Sequence, residues 1–251
     1  MSTQDAGVPR TNEHGQRIGR PVDWTPATPP SRTAVLEGAG VRLEPVGPQH
    51  VDDLVAALCG EDDEPIWTYL SWERPRTREE MAAIVEDGAA DPDRVMYAIV
   101  ARETGRPVGF CSLMRIDPAM GSIEVGQIAF GRQLQRSRAA TEAMALLARH
   151  VFDDLGHRRY EWKCDSLNTA SRRAAIRLGF IWEGRFRHAL VYKGRNRDTD
   201  WFSITDREWP RVRAALDDWL DDRNFDAAGR QRVRLAARPP APDQHADQQE
   251  A

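Results

Sequence analysis

Cysteine is scarce in this sequence of 251 residues, which holds only Cys59, Cys111 and Cys164. An odd number of cysteines without a C-x-x-C spacing indicates neither a disulfide framework nor a zinc site. Long apolar runs are missing too, because no stretch approaches the roughly 20 apolar residues of a membrane helix. Residues 1–20 lack the apolar segment of a secretory signal. We therefore expect a cytoplasmic protein that holds no metal and inserts into no membrane.

Lysine is also nearly absent, since Lys163 and Lys193 are the two lysines among 35 basic residues. The acidic residues number 39, and the formal net charge is −4. This balance, without a basic run interleaved with aromatic residues, argues against nucleic acid as a partner. The arginine bias by itself indicates a compositional preference more than a function.

Both ends of the chain differ in composition from its middle. Residues 1–32 are rich in Gly, Pro, Thr and Asn and predict an extended N-terminal arm. Residues 226–251 carry few large apolar side chains and a proline-rich stretch at 239–242, and we expect a disordered tail there. The folded domain is therefore predicted at 33–225.

Within that domain the apolar periodicity changes repeatedly between two and 3.6 residues. Because the strand–helix–strand unit at 122–164 requires parallel pairing, the order predicts an α/β or α+β fold. We expect a mixed central sheet of about seven strands with helices on both faces. The predicted strands are 41–46, 96–100, 107–116, 122–130, 159–164, 180–192 and 200–205. The main predicted helices are 50–58, one after the T-x-x-E capping box at 77–80, then 138–155, 170–178 and 210–219.

The segment 123–142, IEVGQIAFGRQLQRSRAATE, passes from a strand through a loop into the longest helix. A helix start offers unpaired N–H groups and the positive end of the helix dipole, which suit a phosphate. Ser137, Ala139 and Ala140 are small enough to let an anion approach the backbone. Composition alone favours the alternative, an ordinary surface helix start with solvated arginines. The arginines in question are Arg132, Arg136 and Arg138.

The same segment resembles motif A of the GNAT acetyltransferases, Q/R-x-x-G-x-G/A. Residues 135–140 read QRSRAA, which matches the first and last positions and carries Arg138 where the family has glycine. Downstream, Asn168 and Ser171, followed by LGF at 178–180, resemble the family's N-x-x-S…LGF block. Glu183-Gly184 and Trp201 are similar to the RimJ/RimL branch of ribosomal-protein alanine acetyltransferases. The resemblance covers roughly 41–208, most of the predicted domain.

The resemblance implies a GNAT fold in which two parallel strands, here 122–130 and 159–164, splay apart around acetyl-CoA. It also implies a primary amine as acceptor, either a peptide N-terminus or a small molecule, and a homodimer. At Arg138 we expect a helical backbone with the side chain turned outward, where it can pair with a phosphate. The implied cofactor-binding residues are Ile128, Ala129 and Phe130 for the pantetheine arm, Gln135, Arg136, Ser137, Arg138, Ala139 and Ala140 for the diphosphate, and Asn168 for a pantetheine amide.

The reaction of the family needs a base for the amine and an acid for the leaving thiolate. Glu124, on the predicted central strand, is the candidate base, and the alternative is an exposed strand residue or a partner for an arginine. Asp165 and then His188 are weaker candidates. Ser171 is the expected acid, although a helix cap is an equally fitting role for it. No tyrosine stands where many GNAT enzymes keep their acid, since Tyr160 precedes the strand core and Tyr192 comes late in the sequence. Cys164 is expected to be a packing residue.

Tyr69 and Trp72 belong to an aromatic stretch, WTYLSW at 67–72, ahead of the second helix. In the GNAT fold this region borders the acceptor site, so both residues are candidates for substrate contact. A small hydrophobic patch beneath a loop is the equal alternative. Two other functions stay open. One is a non-catalytic CoA-binding sensor or interaction module, which the absence of the motif A glycine supports. The other is an enzyme that uses a larger donor such as succinyl-CoA.

Overall fold

The computed structural model describes residues 10–19 and 21–237, which form ten strands and six α-helices. The strands are β1 (Arg10–Thr11), β2 (Arg17–Ile18), β3 (Leu36–Glu37), β4 (Val41–Pro45), β5 (Arg94–Ala101), β6 (Pro107–Asp117), β7 (Ser122–Phe130), β8 (Arg159–Asp165), β9 (Ile181–Tyr192) and β10 (Arg195–Thr205). The helices are α1 (Val51–Leu58), α2 (Glu64–Trp67), α3 (Arg78–Ala90), α4 (Arg138–Arg149), α5 (Thr169–Arg177) and α6 (Trp209–Leu220).

Eight of the strands form one mixed sheet in the order β3-β4-β5-β6-β7-β8-β10-β9. Every neighbouring pair is antiparallel except β7 and β8, which run parallel and are joined through α4. The predicted mixed sheet is thereby confirmed. The strand beyond the seven predicted is β3, whose two residues are too few to produce a periodic pattern.

Helices cover both faces of the sheet, as the sequence predicted. On one face α4 and α6 cover β7 and β8, where Met144, Ala148 and Leu216 line a small apolar pocket together with Tyr160 and Trp162. On the other face α1 and α3 bury their apolar stripes on β5 and β6. Burial of each large apolar side chain contributes roughly 1.5–3 kcal/mol, so the two clusters hold the sheet between two helical layers.

Local sequence signals set several element ends. Thr77 caps α3 by accepting a hydrogen bond from the N–H of Glu80 at 3.2 Å. The predicted long helix ends as a π-helical turn, His150–Asp154, before Gly156 turns the chain at φ +70°. The expected loop at 193–197 is instead a two-residue turn at Lys193-Gly194, where both φ angles are positive. Such a turn matches the strand twist, so β10 starts five residues earlier than expected.

The chain ends make contacts with the domain. In the arm, β1 pairs with β2, and the Trp24 indole donates to the carbonyl of Ala119 at 2.8 Å. At the other end Ala237 is fully buried, and its carbonyl accepts a hydrogen bond from Arg211 at 3.0 Å. The expected tail therefore packs on the domain as far as Ala237. Residues 1–9 and 238–251, on which the rest of the arm and tail predictions fall, lie outside the described residues.

Candidate active site

A gap opens between the two parallel strands at the centre of the sheet. Their ladder runs from Ser122 opposite Arg159 to Val125 opposite Trp162 and ends there. Beyond this point β7 pairs with β6, and β8 pairs with β10. The two strands therefore separate toward their carboxyl ends, which is the place where open α/β sheets bind ligands.

A bulge in β7 accompanies the separation. Gln127 has φ +50°, and the register with β6 shifts between Gly126 and Ala129. The Ser112 hydroxyl donates to the Gln127 side-chain oxygen at 2.8 Å and fixes the bulge. An extra residue on one strand bends it, so β7 turns away from β8. The backbone of Ile128, Ala129 and Phe130 consequently has no strand partner on the β8 side within the described ranges.

The loop after β7 is held as a cradle in front of α4. The Gln135 side-chain amide donates to the carbonyl of Phe130 at 2.8 Å. Ser137 is the N-cap of α4, because its hydroxyl accepts from the N–H of Ala140 at 3.0 Å. The left-handed residue of this loop is Arg136, with φ +59°. The N–H groups of Arg136, Arg138 and Ala139 have no partner among the described residues, and unpaired N–H groups are usual in a first helical turn.

Arg138 lies in the first turn of α4 with a helical backbone, as expected. Its side chain, however, binds residues near the end of α6. The guanidinium donates to the carbonyl of Leu220 and, at 2.7 Å, to the carboxylate of Asp222. It also lies over the ring of Phe225, 4.4 Å from the centroid. The side chain thus ties α4 to the end of α6.

Glu124 lies on β7 one residue before the ladder ends, and its side chain is only 3% exposed. One carboxylate oxygen accepts a hydrogen bond from Arg115 at 2.8 Å. The other lies 2.9 Å from the ammonium of Lys163. Burial raises the pKa of Glu124, against the opposing attraction of Lys163 and Arg115. A carboxyl with a raised pKa beside a ligand gap is suited to accept and release protons.

Asn168 and Ser171 both lie at the start of α5, beyond the end of β8. The Asn168 side-chain oxygen accepts from the N–H of Ser171 at 3.0 Å, which makes Asn168 the helix cap. The Ser171 hydroxyl oxygen accepts from the indole of Trp162 at 2.9 Å. Cys164 is buried behind them, and burial raises the pKa of its thiol to about 11. A thiol with so high a pKa is a poor nucleophile, in keeping with the packing role expected for it.

Tyr192 is the residue that sequence reasoning misplaced. Its hydroxyl donates to the carboxylate of Asp165 at 2.8 Å, at the carboxyl end of β8. Burial, together with this hydrogen bond, raises the pKa of Tyr192 to about 12. The two carboxylate oxygens of Asp165 thus accept hydrogen bonds from the N–H of Leu167 and from Tyr192. Tyr160 faces the apolar core, where it stacks near Phe180.

Three loops meet above the gap. Tyr69 donates from its hydroxyl to the carbonyl of Leu167 at 3.2 Å. From the β9–β10 turn, Lys193 donates to the carbonyl of Trp67 at 2.8 Å. Arg195, at the start of β10, donates to the carbonyl of Thr68 at 2.9 Å. Trp72 lies apart from this rim and packs edge-on against Phe110, with ring centroids 6.2 Å apart. The geometry therefore places Tyr69 at the rim and fits the packing alternative for Trp72.

The other expectations concern His188 and metal ions. His188 lies on β9 and is exposed, with its N–H donating to Asp198 at 2.8 Å. Among residues 10–19 and 21–237, no group of three or more His, Cys, Asp or Glu side chains is arranged to hold a metal. In the same part of the chain, no helix has the length and apolar character needed to span a bilayer.

Comparisons with known proteins agree with this geometry. Residues 41–181 match a family model described as acetyltransferase (GNAT) domain. A solved GCN5-related N-acetyltransferase from Brucella melitensis is 47% identical and superimposes with a TM-score of 0.83, covering 85% of this chain and 96% of its own.

Two curated relatives from Bacillus are similar to parts of the chain. "Uncharacterized N-acetyltransferase p20" from Bacillus licheniformis is 30% identical over 130 residues, which are 52% of this chain and 72% of that protein. "Putative ribosomal N-acetyltransferase YdaF" from Bacillus subtilis is 28% identical over 105 residues, which are 42% of this chain and 57% of that protein. The family model matches more than half of the residues of this chain, and the chain therefore belongs to the GNAT acetyltransferases.

Proposed function

We propose that the chain transfers the acetyl group of acetyl-CoA to a primary amine by direct attack in a ternary complex. The observation that carries this proposal is the buried carboxylate of Glu124, one residue before the β7–β8 ladder ends. When bound, acetyl-CoA supplies a thioester that an amine can attack. The gap, the edge of Ile128–Phe130 that has no β8 partner and the α4 cradle fit such a donor.

The base that we propose is Glu124. An acceptor amine is protonated near neutral pH and must lose a proton before its nitrogen can attack. A carboxylate whose pKa is raised by burial accepts that proton more readily than an exposed one. Arg115 and Lys163 hold the carboxylate in place, so that it needs no reorientation when the amine arrives.

The acid that we propose is Ser171. Its oxygen accepts a hydrogen bond from the Trp162 indole, and its own O–H, which also reaches the Cys164 thiol, can turn to donate to a leaving thiolate. Asn168 uses its oxygen to cap α5, which leaves its side-chain NH₂ for a pantetheine carbonyl. The ammonium loses one proton to Glu124, and the neutral amine then attacks. As the C–N bond forms and the C–S bond breaks, Ser171 protonates the thiolate and regains a proton from the second N–H of the amine, and Glu124 releases its proton to solvent.

For the acceptor we propose an N-terminal peptide amine first and a small-molecule amine second. The chain is similar to YdaF, which is named a putative ribosomal N-acetyltransferase, and this similarity supports placing the peptide amine first. We place the reaction in the cytoplasm, where the free cysteines of the chain stay reduced. A homodimer, which the family resemblance implies, stays a prediction, and sedimentation velocity at micromolar concentration decides between one copy and two.

The test of the function combines binding and transfer. Thermal shift with acetyl-CoA, CoA, succinyl-CoA and ATP measures donor binding, and a hundredfold excess over Kd adds about 2.7 kcal/mol of stability. Release of CoA thiol in the presence of Ala- and Ser-terminal peptides, then of small amines, measures transfer. Stabilisation by acetyl-CoA with amine-dependent thiol release supports the proposal. Stabilisation without any thiol release favours a sensor, and no stabilisation contradicts the donor assignment.

Glu124→Gln gives the sharpest test of the mechanism. The amide keeps the shape of the side chain but takes up no proton, so we expect kcat at pH 7 to fall by 100-fold or more, an effect on the order of those of general bases. The Kd for CoA should change little, since the family resemblance places no CoA contact at this residue. The control is Glu86→Gln, an exposed glutamate of α3 that is not one of the charged residues around Glu124. An unchanged turnover of Glu124→Gln between pH 6 and pH 9 would remove Glu124 from the mechanism.

A further inference from the structure

The two lysines of the chain are both buried, and one of them contacts the candidate base. The side chain of Lys163 is 8% exposed. Its ammonium lies 2.9 Å from Glu124, 2.8 Å from Glu161 and 3.7 Å above the ring centroid of Trp201. These three partners surround one nitrogen atom. A compact ammonium with three donors suits them, whereas a planar guanidinium does not.

The contact between Lys163 and Glu124 points along the sheet toward the gap. In the parallel ladder Glu124 is opposite Glu161, and the last pair is Val125 with Trp162. Lys163 is therefore the first residue of β8 beyond the ladder. To reach it, the Glu124 carboxylate extends diagonally toward the end at which the strands separate. The lysine thus determines the direction in which the carboxylate points.

The charges around Glu124 come from the two strands beside β7. Arg115 approaches from β6, while Glu161 and Lys163 approach from β8. Glu161 in turn pairs with Arg159, which also binds Glu183 of β9. Lys163 is thus shared between two carboxylates. Glu161 competes with Glu124 for the same ammonium, so the field at Glu124 depends on both residues.

We propose that Lys163 is a positioning residue that keeps the Glu124 carboxylate ionised and directed into the gap. This inference rests on the proposed function, since it assigns a partner to the proposed base. An alternative is that Lys163 only neutralises two buried carboxylates and contributes to folding alone. Both readings predict that the titration of Glu124 changes when the ammonium is removed, but only the first predicts that the pH profile of acetyl transfer follows that change.

The experiment measures that titration directly. Protein labelled with ¹³C at glutamate carboxyls is titrated by NMR, and the Glu124 resonance is identified by its loss in Glu124→Gln. In Lys163→Met a cation within 4 Å is lost, so the pKa of Glu124 should move upward by about one to three pH units. Lys163→Arg keeps the charge but not the compact geometry of the ammonium, so it should restore only part of the difference. Lys193→Met removes the other buried lysine, which does not contact Glu124, and should leave the value unchanged.

Glu161→Gln should shift the pKa of Glu124 in the opposite direction. It also tests the proposal if Lys163→Met fails to fold. Without its competitor the ammonium interacts more strongly with Glu124, so the pKa of Glu124 should move downward. A folded Lys163→Met with the parental Glu124 pKa would overturn the proposal, and so would an upward shift in Glu161→Gln.

The acid limb of kcat/KM for the amine found in the transfer screen should follow these shifts, while the Kd for CoA stays constant. The proposed function and the role of Lys163 can fail separately. Absence of acetyl transfer would refute the proposed function. The carboxyl titration would still show whether Lys163 keeps Glu124 ionised.

Discussion

Replacing Arg138 with glycine restores the residue that motif A has at this position. The structure predicts that the change weakens the fold more than it weakens CoA binding. The guanidinium is bound to the carbonyl of Leu220 and to Asp222, and it lies on Phe225, all near the end of α6. A phosphate in the α4 cradle would meet the backbone of this residue, whose side chain is engaged on another element.

The expected loss of stability follows from the three contacts. The partner Asp222 is 92% exposed, so its ion pair contributes little, about 0–1 kcal/mol. The contact with the ring of Phe225 adds about 0.5–1 kcal/mol, and the hydrogen bond to the carbonyl of Leu220 adds about 1 kcal/mol. We therefore expect Arg138→Gly to lower the free energy of unfolding by about 2 kcal/mol. The Kd for CoA should stay within tenfold of the parent, a change below about 1.4 kcal/mol.

Urea unfolding measures the first quantity, and isothermal titration calorimetry with CoA measures the second. Arg138→Ala removes the same contacts without the added freedom of glycine and should bind CoA equally well. Arg149→Ala is the matched control, because Arg149 also joins α4 to α6, through Asp217, but lies at the far end of the helix. If Arg138→Ala stays folded and loses more than tenfold in CoA affinity, the side chain is a phosphate ligand and the reasoning is refuted.

Two further predictions concern stability and the α4 cradle. Burial lowers the pKa of His157 below its ordinary value of 6.5, so the folded chain binds fewer protons there than the unfolded chain. Its contribution to stability is present above pH 6.5 and is lost as the pH falls further; His157→Gln should flatten the decline in Tm between pH 7 and pH 5, and an equal decline would contradict this. At Gly131 an added Cβ would lie 2.7 Å and 2.8 Å from the carbonyl oxygens of Ala57 and Val108. Gly131→Ala should therefore displace the loop and weaken CoA binding tenfold or more, whereas Gly184→Ala, in open space, should bind as the parent does.

The fold could be predicted because its signals are local. Strand β7 was predicted with the bounds it has, and the cap at Ser137 follows from a small polar residue ahead of an apolar stripe. The predictions were weaker where tertiary contacts decide the structure. Strand β10 begins at Arg195 in a polar stretch, RNRDT, which has no apolar alternation and forms a strand because β9 pairs with it. Strand β3, with two residues, is held by β4 in the same way.

The candidate site could be predicted only in part, for a related reason. Motif spacing brought Glu124, Asn168 and Ser171 to attention, and the structure places all three near the separation of β7 and β8. It could not reveal that Tyr192 reaches Asp165, because this contact depends on a hairpin whose length was underestimated. The engagement of Arg138 by α6 was equally hidden, since its partners lie more than 80 residues away along the chain.

One sequence signal could nevertheless have located more of the site. In a chain that uses arginine for nearly all positive charge, a lysine marks a position where arginine does not serve equally well. Both lysines are at most 9% exposed, and each ammonium has a carboxylate and at least one further partner around it. Lys163 contacts the proposed base, and Lys193 joins the β9–β10 turn to the carbonyl of Trp67 above the gap. A point charge with three donors suits both places, so the rarest charged residue of the chain lies at its candidate active site.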